Sequence, residues 1–144
     1  MQFIRTDAHP HELETKSLKG VKLLIAEDNA INVILAKQYM FLWDVECDVA
    51  ENGEIALTLA QTNDYDMILM DLQMPEMDGY QTTIAIRQLA DEKYKKLPII
   101  ALTASAMLDI KDQAFIVGMN DYISKPFNPD ELYKKIAHYA KKNK

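Results

Sequence analysis

The sequence predicts an α/β domain built on a five-stranded parallel sheet with helices on both faces. Three observations support this: short, nearly continuous apolar runs, helix-like segments that alternate with them, and polar residues where the runs end. A continuous apolar run is typical of a strand buried on both faces. Because parallel strands need crossover helices, the alternation favours a doubly wound, flavodoxin-like sheet with strand order 2-1-3-4-5 and five helices.

The first predicted strand covers residues 21–26 and stops at Glu27, Asp28 and Asn29. Asn29 is suited to cap the helix that we predict over residues 30–42. Apolar side chains of that helix fall on one helical stripe. They are Ile31, Ile34, Leu35, Tyr39 and Leu42.

The alternation then repeats. A strand at residues 45–49, a turn at 51–53 and a helix at 54–61 precede the third strand at 65–70, whose unbroken apolar sequence predicts a central position. Asp71 stands at the carboxyl end of this third strand.

The second half follows the same pattern. We predict a helix at 79–90, a strand at 98–102 ending in Thr103, a helix within 105–117 and a short strand at 122–124 ending in Lys125. The last helix begins with a cap at Asn128, a proline at the first helical position and Glu131 where a capping box has an acid.

Composition sets the class of protein. The 144 residues are 49% hydrophobic and 26% charged, the balance of one soluble domain. Residues 1–20 have no sustained apolar period and are predicted to be a flexible linker or leader, with the folded domain at 21–144.

The single cysteine, Cys47, excludes an internal disulfide and favours a cytoplasmic setting. The net charge of −6 argues against direct nucleic-acid binding. The apolar runs are far below the roughly 20 residues that span a bilayer, so we expect no membrane contact by this segment.

Polar side chains follow four of the predicted strands, and ligand sites in such sheets lie at the carboxyl ends of the strands. In the order 2-1-3-4-5 the first and third strands are neighbours, so Glu27, Asp28 and Asp71 would converge, with Thr103 and Lys125 nearby. Three close carboxylates strongly disfavour full ionisation unless a cation neutralises them. Hard oxygen ligands in an open cluster suit Mg²⁺, or Mn²⁺.

These motifs resemble those of a two-component response-regulator receiver domain, over about residues 21–142. Glu27 and Asp28 match the acidic pair of that family, and Asp71 in the segment MDLQMPEMDG (residues 70–79) matches its phosphoacceptor. Thr103 followed by alanine matches the switch hydroxyl, and Lys125-Pro126-Phe127 matches the lysine segment.

The resemblance implies a phosphoacceptor switch. Asp71 would receive a phosphoryl group from a phosphohistidine, with Asp28 and Asp71 on the metal, Glu27 acting through water, and the backbone carbonyl of Gln73 as a further ligand. Thr103 and Lys125 would contact the phosphoryl oxygens. Tyr122 would be the aromatic switch residue, and the Lys125–Pro126 peptide bond would be cis.

The resemblance also implies how the signal leaves the domain. The surface of the fourth predicted helix, the fifth strand and the fifth helix would change, and it is a possible dimer contact. The partner would be a histidine kinase or a histidine phosphotransfer domain. Such a domain promotes its own phosphorylation and dephosphorylation but turns over no separate substrate.

Two contexts stay open, a receiver of a hybrid sensor histidine kinase and a stand-alone single-domain response regulator. The segments AEDN (26–29), LTASAM (102–107) and GMNDY (118–122) resemble the hybrid-kinase receivers, in which case the parent protein is a histidine kinase. An aspartyl-phosphate phosphatase is a weaker alternative, because that class has a second acid two residues after the nucleophile, where Gln73 stands. A receiver-like interaction module that accepts no phosphate is disfavoured by the intact set of site residues.

Overall fold

The computed structural model describes residues 17–105 and 107–142. In these residues five strands alternate with helices, as predicted. The strands are β1 Lys22–Ala26, β2 Glu46–Ala50, β3 Met67–Asp71, β4 Ile99–Thr103 and β5 Asp121–Ser124. The helices are α1 Ala30–Leu42, α2 Gly53–Thr62, α3 Gly79–Arg87, α4 Lys93–Lys96, α5 Leu108–Val117 and α6 Pro129–Lys142.

All five strands are parallel, and their order is β2-β1-β3-β4-β5, which confirms the predicted topology. The central strand β3 lies between β1 and β4, with Ala26 opposite Met70 and Asp71 opposite Leu102. The carboxyl ends of β1, β3 and β4 therefore meet at one edge of the sheet, where sequence reasoning expected the site.

The sheet separates two apolar clusters, because alternate side chains of each strand point to opposite faces. In β1, Leu23 and Ile25 belong to one cluster and Leu24 and Ala26 to the other. Helices α1 and α6 cover the first face, and α2, α3 and α5 cover the second. Their buried contributions are Ala36, Met40, Leu132, Ile136 and Ala140 on the first face, and Ala56, Ala60, Ile86 and Ala114 on the second.

The packed part of the chain begins before the expected boundary at residue 21. Leu18 is buried in the first cluster, and its backbone N–H donates to the carbonyl of Trp43 at 2.7 Å. Residues 1–16 of the predicted leader lie outside the described residues, so its flexibility stays a prediction.

Only part of the apolar stripe predicted in α1 packs on the sheet. Leu35 and Tyr39 pack against the first cluster. Ile31, Ile34 and Leu42 are instead 75, 58 and 69% exposed. This helix therefore carries apolar residues on both faces.

The one helix that the prediction lacked is α4, a single turn of Lys-Tyr-Lys-Lys after α3. The guanidinium of Arg87 at the end of α3 lies beside it and donates to the carbonyls of Tyr94 and Leu97 at 2.7 Å each. The same group donates to the carbonyl of Gly118, which follows α5, at 2.7 and 3.0 Å. Arg87 thus joins the ends of α3 and α5 to the segment before β4. We expected five helices, but the described residues form six because of this extra turn. The predicted fourth and fifth helices therefore correspond to α5 and α6.

The start of α3 packs directly against the end of β3. A Cβ atom added at Gly79 would lie 2.3 Å from the backbone oxygen of Asp71 and 2.9 Å from the Cα of Leu72. Both are backbone atoms, which cannot move aside as a flexible side chain can. Glycine at position 79 therefore lets α3 support the strand end that carries Asp71.

We expect Gly79→Ala to destabilise the domain, because the added methyl group must push α3 away from β3. Overpacking of this kind costs about 1–3 kcal/mol. Urea unfolding followed by circular dichroism measures the loss, and Gln113→Ala on the exposed side of α5 is the control, expected within about 0.5 kcal/mol of the wild type. Equal stability of the two variants would contradict this close packing.

Candidate functional site

Three carboxylates converge at the carboxyl ends of β1 and β3. Glu27 and Asp28 directly follow β1, and Asp71 is the last residue of β3. One oxygen from each carboxylate lies within 4.8 Å of the others. Glu27 and Asp71 are only 1 and 5% exposed, whereas Asp28 is exposed. The adjacency of the two strands creates this cluster.

Lys125 brings one positive charge to the three acids. Its Nζ lies 3.1 Å from Oε1 of Glu27 and 3.3 Å from Oδ1 of Asp71. The peptide bond between Lys125 and Pro126 is cis. The second oxygen of Glu27 accepts a hydrogen bond from the backbone N–H of Asn29 at 3.1 Å. Both oxygens of Glu27 are therefore engaged by the protein itself.

The electrostatic balance keeps a proton on Asp71 more readily than in water. Burial, followed by hydrogen bonding and repulsion from the Glu27 carboxylate, raises the pKa of Asp71 from 3.8 to about 7. The backbone N–H of Gln73, which donates to Oδ1 at 3.2 Å, and the charge of Lys125 act in the opposite direction. Without a cation, the three carboxylates carry more negative charge than Lys125 and the surrounding groups stabilise.

The donor set fits a divalent cation. The carboxylates open onto a cleft of about 790 Å³, and hard carboxylate and carbonyl oxygens with room for water are the environment that Mg²⁺ prefers. Asp28 and Asp71 could bind the ion directly. Glu27 could act only through water while its oxygens are engaged, and the carbonyl of Gln73 belongs to a residue that lines the same cleft.

Thr103 lies at the end of β4 with its hydroxyl turned toward the following loop. The side chain is 5% exposed, and its Oγ1 donates to the carbonyl of Ser105 at 2.9 Å and accepts from the N–H of Ser105 at 3.0 Å. These two bonds tie the hydroxyl to the loop that leads into α5. A phosphoryl group on Asp71 would have to compete with Ser105 for this hydroxyl.

The cleft brings together six of the site residues named from the sequence and leaves Tyr122 outside. The six are Glu27, Asp28, Asp71, Gln73, Thr103 and Lys125. Tyr122 is half-buried on β5 and contacts Phe115 of α5 and the ammonium groups of Lys111 and Lys135.

Sequence reasoning missed Ser105, Lys111 and Lys135. Ser105 acts through its backbone, which no side-chain pattern reveals. Lys135 stands four residues after Glu131, the spacing of a helical ion pair, and that pair is present at 3.3 Å. This spacing was the available signal for Lys135, but nothing in the sequence indicated that it meets Tyr122.

Residues 23–137 match the response regulator receiver domain family. The chain belongs to this family. The sensor histidine kinase GacS of Pseudomonas protegens is 39% identical over 128 residues, which cover 88% of this chain. This receiver domain spans only 14% of the length of that kinase.

Two solved receiver domains have the same fold. That of the sensor histidine kinase PA1611 from Pseudomonas aeruginosa, with a magnesium ion coordinated in its active site cleft, has a TM-score of 0.78 at 34% identity and covers 85 and 98% of the two chains. The receiver domain of Ssk1 from Saccharomyces cerevisiae, crystallised with the histidine phosphotransfer protein Ypd1, has a TM-score of 0.79 at 31% identity and covers 87 and 92%.

This chain is thus a receiver domain of two-component or phosphorelay signalling, homologous to the receivers of hybrid sensor histidine kinases. Receiver domains bind Mg²⁺ at an acidic site, and this one has such a cluster. None of the described helices is both long and apolar enough to cross a bilayer.

The raised pKa of Asp71 predicts how stability depends on pH in the metal-free protein. The folded state holds this proton more tightly than the unfolded state, so stability falls as pH rises from about 4 to about 7. Asp71→Asn removes the effect. At pH 8 we expect the variant to be more stable by about 2 kcal/mol, below the roughly 4 kcal/mol upper bound of such a shift, because asparagine also loses the ion pair with Lys125.

Urea unfolding in EDTA at several pH values measures this difference. The gain should shrink toward pH 4, where the wild-type carboxyl is protonated in the folded state and close to its midpoint in the unfolded state. Asp112→Asn, at an exposed position on α5, is the control and should follow the wild type throughout. A gain for Asp71→Asn that is the same at pH 4 and pH 8 would contradict the raised pKa.

Proposed function

We propose that Asp71 accepts a phosphoryl group from a phosphohistidine and that this modification switches the domain. The observation that carries the proposal is the meeting of a buried Asp71, two further carboxylates and the Lys125 ammonium in one cleft. A cleft with excess negative charge and one lysine suits a reaction that adds phosphoryl oxygens beside a divalent cation.

In the proposed step an oxygen of ionised Asp71 attacks the phosphorus in line. The new bond joins this oxygen to phosphorus, the bond between phosphorus and the imidazole nitrogen breaks, and the imidazole keeps the electron pair. Bound Mg²⁺, or Mn²⁺, supplies charge that favours ionised Asp71 and offsets the phosphoryl oxygens. Lys125 donates to one of these oxygens, and Thr103 donates to another after leaving Ser105.

This proposal predicts that a small phosphodonor such as acetyl phosphate, with Mg²⁺, adds one phosphoryl mass to the protein. Asp71→Asn should abolish the added mass, because an amide is not a nucleophile here. Asp112→Asn should label normally, and EDTA should suppress labelling in every form. Intact-mass spectrometry measures the product. Labelling of Asp71→Asn at the wild-type rate would contradict the assignment of the acceptor.

We infer that the domain acts within a hybrid sensor histidine kinase, in the cytoplasm or on the cytoplasmic side of a membrane. The identity with the receiver of GacS supports this context over a stand-alone regulator. The surface of α5, β5 and α6 is the proposed output. Its exposed apolar side chains are Leu108, Phe115 and Ile116, which suit a partner protein or a second copy.

The phosphate-donating partner is proposed to be a histidine kinase or a histidine phosphotransfer domain that docks beside the cleft on α1. Asn29 and Asn32, at the start of this helix, line the cleft, and Ile31 and Ile34 follow on its exposed side. A partner histidine must reach Asp71 through the cleft, so the partner body must cover its rim. The co-crystal of Ypd1 with the Ssk1 receiver supports a partner of this class.

Ile34→Glu should lower kcat/KM for transfer from a phosphorylated histidine phosphotransfer domain by tenfold or more. A central apolar anchor typically contributes about 1–2 kcal/mol or more to an interface, and a charge there also loses its water. Labelling by acetyl phosphate should not change, since the cleft is intact. Ile84→Glu, the same change on exposed α3, is the matched control. Equal transfer to both variants would place the docking surface elsewhere.

A further inference from the structure

Tyr122 on β5 is in contact with ammonium groups from two helices. The Nζ of Lys111 on α5 is 4.1 Å from the ring centroid, and the Nζ of Lys135 on α6 is 4.8 Å from it. Phe115 of α5 meets the ring at a T-shaped angle with 6.5 Å between centroids. An ammonium within about 6 Å of a ring centroid is attracted to the electron-rich face. The ring is therefore held by both helices that border β5.

The two lysines differ in what else holds them. Lys135 also pairs with Asp121 at 3.1 Å and Glu131 at 3.3 Å, and donates to the backbone carbonyl of Tyr122. Within residues 17–105 and 107–142, the ammonium of Lys111 contacts the Tyr122 ring and forms no ion pair with a carboxylate. Lys135 therefore stays in place whatever the ring does, whereas the Lys111 contact depends on the positions of both Tyr122 and α5.

The chain connects this contact to the cleft. Thr103 is bonded to Ser105, and that loop leads directly into α5, whose first turn ends at Lys111. Tyr122 is paired in the sheet with Ala101, two residues before Thr103. If Thr103 leaves Ser105 for a phosphoryl group, the loop that positions the first turn of α5 changes its anchoring. The distance between Lys111 and the ring is then free to change.

We propose that Lys111 is a positioning residue whose ammonium, held against the Tyr122 ring, stabilises the unphosphorylated arrangement of the domain. This rests on the proposed role of Asp71. A contact made in one state and lost in the other shifts the equilibrium between them by its own free energy. Attraction of this strength at a partly exposed site corresponds to a factor of about two to five. Removing the charge of Lys111 should favour the phosphorylated arrangement by that factor, since the competent fraction sets apparent affinity.

The experiment titrates the full chain with beryllofluoride, a tetrahedral analogue of a phosphoryl group, in the presence of Mg²⁺. Lys111→Gln removes the charge but keeps an unbranched, helix-favouring stem. Lys111→Arg keeps a cation that can lie over the ring. Lys134→Gln is the matched control, at an exposed position on α6. Apparent affinity is measured by calorimetry, and the ε-methylene proton shifts of Lys111 are followed by NMR.

We expect Lys111→Gln to bind beryllofluoride about two- to fivefold more tightly than the wild type, with Lys111→Arg and Lys134→Gln near the wild type. The Lys111 methylene protons of the wild type should be shifted upfield by the ring before addition and return toward ordinary values after it. Unchanged affinity in Lys111→Gln, or an upfield shift that persists, would overturn this inference alone. Failure of the wild type to bind beryllofluoride would instead overturn the proposed function of Asp71.

Discussion

Repulsion between carboxylates at the meeting point of β1 and β3 is the constraint on which the rest of the domain depends. Strand pairing puts Glu27 and Asp28 next to Asp71, and burial makes their negative charge costly. Lys125 offsets only part of this cost, and the pKa of Asp71 is raised as a result. The folded site therefore carries more negative charge than Lys125 neutralises. A bound cation would offset this negative charge and the proposed phosphoryl group on Asp71 would add to it, so the proposed chemistry would redistribute the interactions around Asp71.

Much of the fold could be predicted because its strands are buried on both faces. Continuous apolar runs in β1, β3 and β4 have few other meanings, and polar residues at their ends located the cleft. The buried face of α1 could not be predicted in the same way. Ile31 and Ile34 are as apolar as Leu35, but they are exposed, whereas Leu35 packs against the core. Hydrophobicity alone therefore did not show which side of the helix meets the sheet. The single turn α4 is too short to show an apolar period. Its position depends instead on the contacts of Arg87 and Tyr94.

The site shows a similar division. Side chains whose chemistry is unusual at a strand end, such as Asp71 and Lys125, were visible in the sequence. Contacts made by backbone or between distant helices were not: the carbonyl of Ser105 holds Thr103, and Lys111 meets Tyr122 only because α5 and β5 pack together. These less visible contacts connect the cleft to the outer surface. The residues proposed to perform chemistry are thus easier to infer from sequence than those proposed to couple it to a conformational change.

The hydrogen bonds of Arg87 hold the carboxyl end of α5 but not its amino end. At the carboxyl end, the Gly118 carbonyl accepts hydrogen bonds from two nitrogens of the Arg87 guanidinium, and the Asn120 side chain accepts another from the same group. At its amino end, Met107 provides no side-chain cap. Any tilt of α5 would therefore be centred near Gly118. With a rise of about 1.5 Å per residue, a tilt of roughly 5° about this end would displace the amino end by about 1 Å. Leu108 would then move farthest, because it lies at the opposite end of the helix.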